Sequence, residues 1–220
     1  MIRMKNKRIV GLLIILLLLT VFNVGAASEQ QQEFELTADE LLIDDAQAEI
    51  TATGNVKFSR GEIKLSANKL IAQQNLNQIQ ADGAVVMEQA AGTLRGEHLN
   101  LNSQTELATL TGNPSYKSEE LSISGKKFEF DFKTGQLVVN QQVYLENKAE
   151  NVTAEADQLQ YDREEAEAIL TGDVLAQKGG RRINADKMII DLETNKIKAE
   201  GKTKLVVPNA TEKQGDINGD

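Results

Sequence analysis

The chain has 220 residues, and its first 27 hold four of the 24 Lys+Arg and none of the 33 Asp+Glu, which leaves 20 against 33 and a net of −13 beyond them. A polyanion of this kind does not bind nucleic acid through a positive field, so that class is excluded. With no Cys and a single His, thiolate zinc sites, iron–sulfur clusters, disulfide scaffolds, cysteine nucleophiles and multi-His metal sites are excluded too.

Residues 1–8 are cationic (Arg3, Lys5, Lys7, Arg8), Ile9 to Val24 is an apolar run of 16, and Gly25-Ala26-Ala27 precedes polar Ser28. A basic head, an apolar middle and a small-residue end make a secretory signal over 1–27, with cleavage after Ala26 or Ala27. The run is shorter than the roughly 20 residues that span a bilayer comfortably. A retained membrane anchor is the alternative, and either way the remainder leaves the cytoplasm.

Beyond the export segment the chain repeats itself. Units begin at Ala38, Ala67, Gly96, Gly125, Ala156 and Ala185, separated by 29, 29, 29, 31 and 29 residues. Sixteen residues after each start stands Gly54, Gly83, Gly112, Gln141, Gly172 or Gly201. Before each start, apolar residues alternate, as in Ile63/Leu65/Ala67 and Val152/Ala154/Ala156. Period two predicts a strand. After the start the apolar residues fall three and five places on, as in Leu41/Ile43, Leu70/Ala72 and Phe128/Phe130. That is the opposite parity, so a bulge or corner is expected just after the small residue in every unit. Asp44, Gln73, Asn102, Asp131, Asp162 and Asp191 then start turns.

A second strand follows with unbroken alternation, as in Ile50-x-Ala52-x-Gly54-x-Val56-x-Phe58. The recurring mid-strand glycine marks a bend or close approach. Six units therefore predict an all-β fold of about twelve creased strands, an antiparallel repeat with a V-shaped section and one aliphatic face, over residues 34–207. Residues 208–220 are expected to be a disordered polar tail.

The unit, small-Asp-x-Leu-x-aliphatic-Asp followed by x-Ala-x-Gly-Asn-Val, resembles the OstA-like domain of lipopolysaccharide export. Ala52-Thr-Gly-Asn-Val56, Leu110-Thr-Gly-Asn113 and Leu170-Thr-Gly-Asp-Val174 carry the likeness, which covers roughly residues 34 to 206. Length and leader are similar to the periplasmic, LptA-like members. A membrane-anchored, LptC-like relative is the near alternative. The resemblance implies a β-jellyroll whose interior shields acyl chains, and stacking end to end between two membranes. The partners it implies are lipopolysaccharide or lipid A, other jellyroll domains of inner- and outer-membrane transport proteins joined by edge-strand pairing, and further copies of the chain. Three departures stand out: Pro114 where other units have Val or Thr, Gln141 where they have Gly, and the N-terminal segment.

Such a carrier needs no chemistry, and no catalytic residue, metal or cofactor is expected. Burial is worth about 0.8 kcal/mol per CH₂, so exposing one ~12-carbon chain would cost roughly 10 kcal/mol. The candidate lipid-contact residues are Leu41, Ile43, Ile50, Val56, Phe58, Leu70, Ile79, Val85, Leu99, Phe128, Phe130, Leu137, Val139 and Tyr161, all expected to face inward. The competing reading is that they pack a closed core. His98 sits at a solvent-side position, and the corner residues Asp39, Asn68, Glu97, Asp157 and Asp186, interrupted by Lys126, read as bulge partners rather than calcium ligands. Lys178, Arg181 and Arg182 read as a charged turn. A ligand-free structural filament is the rival from another class.

Overall fold

The computed structural model describes residues 34–208, apart from 90–91, 132, 163–164, 192–193 and 195. Residues 1–33 and 209–220, on which the expected signal segment and polar tail fall, lie outside the described residues. The strands are β1 (Phe34–Thr37), β2 (Glu40–Asp44), β3 (Glu49–Arg60), β4 (Ile63–Gln73), β5 (Gln78–Gln89), β6 (Gly92–Asn102), β7 (Leu107–Thr111), β8 (Ser115–Lys117), β9 (Leu121–Ser124), β10 (Lys127–Asp131), β11 (Gln136–Asn147), β12 (Val152–Asp162), β13 (Glu167–Lys178), β14 (Arg181–Asp191), β15 (Lys196–Glu200) and β16 (Lys204–Val206). All sixteen join one sheet in which each pairing is antiparallel, and no helix occurs among the described residues.

Sixteen strands and the expected twelve are the same object. Eight strands run unbroken for 11 or 12 residues. The other four are each divided at the crease: β1/β2, β7/β8, β9/β10 and β15/β16. β1 and β2 pair with opposite halves of β3, and β15 and β16 with opposite halves of β14. At Pro114, between β7 and β8, the missing amide removes a ladder bond.

The crease divides the sheet into two arms. The first arm carries β2, β7, β10, β15 and the adjoining halves of the long strands. The second carries β1, β8, β9, β16 and the remaining halves. At each crease the register slips, for example between Thr53 and Val56, between Asp82 and Val85 and between Thr171 and Val174. On β3 two residues, Gly54 and Asn55, oppose Asn68 alone on β4. This is the bulge that the change of parity demanded. Gly54/Asn55 have φ of 74° and 48°, and Gly172/Asp173 have 81° and 42°.

Glycine at the first of these positions answers two needs. The left-handed backbone penalises a Cβ. A Cβ at Gly83 would also lie 2.6 Å from Asn68 Nδ2. At Gly54, Gly112, Gly172 and Gly201 the Cβ would collide with the side chains of Asp39, Glu97, Asp157 and Asp186. The corner residues thus lie over the glycines. Asp39 receives the Asn55 side-chain amide at 2.8 Å, and Asp186 receives the Lys202 backbone amide at 3.1 Å. Their carboxylates serve the bend.

The arm tips close in turns whose first residue caps the next amides. Asp44 accepts from Ala46 and Gln47, Asn102 from Gln104 and Thr105, and Asp131 from Lys133 and Thr134.

Candidate functional site

The inward residues form ladders that run across the whole sheet. In the first arm the register links Leu41, Ala52, Leu70, Ala81, Leu99, Leu110, Phe128, Val139, Leu159, Leu170, Met188 and Ala199 in one unbroken row. A parallel row nearer the tip runs from Ile43 and Ile50 through Phe130, Leu137 and Tyr161 to Ile190 and Ile197. In the second arm one row links Leu36, Phe58, Leu65, Met87, Leu94, Tyr116, Ile123, Leu145, Ala154, Ala176, Ile183 and Leu205. No charged residue enters any of these rows.

Over the middle of the sheet the rows of both arms belong to one buried cluster. Side-chain volume is shared between the arms. Early in the chain the first arm supplies Ala52, Ala72 and Ala81 while the second supplies Phe58, Leu65 and Leu94. Later the second supplies Ala154, Ala156 and Ala176 while the first supplies Phe128, Leu159 and Leu170. At the two ends the same rows are uncovered: Leu41 and Ile43 are 48% and 56% exposed, and Ile197 and Leu205 are 40% and 58% exposed.

Eleven of the fourteen candidate residues are buried: Val56, Phe58, Leu70, Ile79, Val85, Leu99, Phe128, Phe130, Leu137, Val139 and Tyr161. Ile50 is half-buried. Leu41 and Ile43 depart from the inward, covered placement expected of them. Their register is inward, yet β2 is an edge strand and none of the described residues packs over Leu41 or Ile43 closely enough to bury it. Row members outside that set, such as Leu110, Leu159, Leu170 and Met188, stand one or more repeats from Ala52 and Leu41, and the repeat offset is the signal that reveals them.

Polar features lie outside this interior. His98 Nδ1 is 2.7 Å from Asp82 Oδ1, with both side chains largely exposed. Among the described residues no three His, Cys, Asp or Glu converge to hold a metal. Within the interior, the Tyr116 hydroxyl is pushed up to about 12 by burial, with a hydrogen bond from Ser118 opposing part of the rise.

The family model described as LptA/(LptD N-terminal domain) lipopolysaccharide transport protein matches residues 35–136 and 138–220. The chain belongs to this family. The family is one of lipopolysaccharide transport, and the all-β sheet of this member is built from six creased repeats. A relative, the LPS-assembly protein LptD of Nitrosomonas eutropha, is 35% identical over 109 residues, or 48% of this chain. The chain covers 15% of that protein's length. A solved structure, LptH of Pseudomonas aeruginosa, is titled the LptA-homologous periplasmic component of the lipopolysaccharide transport device. It aligns over 83% of this chain and all of its own at 12% identity and a TM-score of 0.27. Proteins of the family act in the cell envelope. No helix among the described residues is long and apolar enough to cross a membrane.

Proposed function

We propose that this chain is a periplasmic bridge component that carries lipopolysaccharide from the inner to the outer membrane, holding acyl chains between its two arms. The observation that carries this reading is the set of uninterrupted apolar ladders, enclosed along the middle and uncovered at both ends. Acyl chains entering between the arms would replace side-chain contacts with lipid contacts of the same kind, so the exchange costs far less than exposing a chain to water. Residues 1–27 would direct export as a cleaved signal. The inner-membrane-anchored role in the same transporter differs by retaining that segment, and N-terminal sequencing of the exported protein separates the two.

The edge strands would join further sheets, either of membrane-bound transport partners or of another copy, because among the described residues their outer amides and carbonyls have no strand beside them. A proline at Lys198 in β15 should reduce self-association while leaving the fold largely intact. Unchanged oligomers would argue against edge pairing.

The lipid path is tested by placing a photoreactive residue at Phe130, buried in the interior, or at Ile43, at its uncovered end, and irradiating with lipid A. Crosslinked lipid at both positions, reduced by excess lipopolysaccharide, is expected. The packed middle of the sheet favours one rival, a ligand-free structural filament. Native mass spectrometry showing stable oligomers and no lipid at any ratio would select that rival.

A further inference from the structure

The two arms end in different chemistry at their tips. On the first arm the last inward row is uncharged, from Ile43 and Ile50 to Ile197, and the row beside it faces out with Asp44, Glu49, Asp131, Asp162, Glu167 and Asp191 against Lys196. On the second arm the last inward row starts at Phe34 and Arg60 and ends at Lys178 and Arg181. Its polar members are Arg60, Gln89, Asn147, Lys178 and Arg181, with no carboxylate among them. The cations of an acidic chain are thus gathered on one inward rim.

Two of these members are already engaged. Lys178 Nζ donates to Glu150 Oε2 at 3.0 Å, and Asn147 Oδ1 accepts from the Glu150 amide at 3.1 Å. The other carboxylates of this tip, Glu62, Glu119 and Glu120, stand in the turns beyond the row. Arg60 and Arg181 are exposed and make no side-chain hydrogen bond or ion pair among the described residues. Arg60 lies one strand from the first edge and Arg181 one strand from the last, where the interior is uncovered. Gln89 lies between them. Its Nε2 is shut off from solvent and has no partner among the described residues. Lys64 opposite Glu88 puts Ile63 beside Gln89 at the next step, so Gln89 is two strands, roughly 10 Å, from Arg60. A buried amide donor left unpaired is costly, and a carbonyl entering the interior would satisfy it.

We propose that the second-arm tip is a binding rim for the phosphorylated head of the lipid held between the arms, with Arg60 and Arg181 taking phosphate and Gln89 taking the carbonyl that joins an acyl chain to the head. This rests on the lipid carriage read under Proposed function. A guanidinium grips phosphate oxygens with two parallel N–H donors. The chemical order of such a lipid follows the positions: acyl chains along the aliphatic rows, linking carbonyls at the tip row, phosphates at the cations where that row meets water. The outward acids of the first arm repel the same phosphates, so the head leans toward the second arm. Arginine near both edges places phosphate where lipid enters and leaves, and the amides between them keep the middle of the rim free of strong charge.

Equilibrium binding of the exported protein to lipid A, and to lipid A stripped of its phosphates, tests the rim. The unaltered protein should bind the phosphorylated form at least about tenfold more tightly at low salt. Arg60→Gln together with Arg181→Gln should remove that preference and leave the affinity for the stripped form unchanged. Lys64→Gln together with Arg182→Gln removes the same charge from outward positions beside the row, and should keep the preference. Gln89→Leu should weaken both forms alike, by about threefold or more. A preference retained without Arg60 and Arg181, or lost equally in both double variants, would overturn the rim. Unchanged affinity in Gln89→Leu would overturn the contact given to Gln89. Inorganic phosphate equimolar with the lipid should leave the preference intact, and its loss would assign the arginines to free phosphate instead. No binding of either lipid by the unaltered protein would overturn the lipid carriage itself.

Discussion

Lys126 and Gln141 face each other across the fourth crease. The Lys126 amide donates to the carbonyls of Asn140 and Gln141 at 2.9 and 3.0 Å, as the Asp39 amide donates to Gly54 at 2.8 Å in the first crease. The two departures from the repeat are therefore one site. Gln141 carries a Cβ where the other units have none, and the corner side chain opposite is a lysine that reaches away to Asn113 Oδ1 at 2.7 Å. Gln141 and Gln142 still take the left-handed backbone, at φ of 61° and 54°. Gln141→Gly should stabilise the protein by about 0.5–1 kcal/mol, the left-handed penalty less the added chain entropy of glycine. Thermal unfolding should show a rise of roughly 1–4 °C. A fall would mean that Gln141 makes contacts worth more than its strain.

The reverse substitution should fail at Gly172. Gly172→Ala places a Cβ against the Asp157 side chain on a left-handed backbone. A loss of about 1–3 kcal/mol is expected. Part of it should return in the double variant with Asp157→Ala, measured by urea unfolding as a coupling of at least about 0.5 kcal/mol. Strict additivity would show that the two residues do not compete for space.

Alkaline titration should isolate Tyr116. Its hydroxyl is raised from 10.0 to about 12. A raised value in the folded state means that the folded protein holds its proton when the unfolded chain releases it. The stability from this group is thus complete below pH 10 and is lost as pH rises toward 12, up to roughly 2–3 kcal/mol. Absorbance at 295 nm should show this ionisation only as the protein unfolds, and Tyr116→Phe should flatten the alkaline loss. A loss unchanged in that variant would place its origin elsewhere.

Equivalent leucines should behave differently by position. Leu70→Ala, in the enclosed row, should cost about 2–5 kcal/mol in the purified monomer. Leu41→Ala, one repeat earlier in the same row but uncovered, should cost under about 1 kcal/mol. Its effect should instead appear in sedimentation as weaker self-association. A large stability loss at Leu41 in a monomer would show that the first edge is covered within the chain.

Much of this protein was written along the chain. Alternation of Ile50, Ala52, Val56 and Phe58, the change of parity after Ala67, and the capping residues Asp44 and Asp131 are local signals, and they gave strands, creases and turns in the right places. They did so because strand parity and turn chemistry depend on residues within a few places of each other. The division of four strands at the crease depended on the neighbour across the bend, as at Pro114. The joint departure of Lys126 and Gln141, 15 residues apart in sequence, became one event only when the register set them opposite. The exposure of Leu41 beside the burial of Leu70 was decided by the tertiary structure alone. Both fit the same motif, and only the presence or absence of a strand and an arm beside them determines which one meets water.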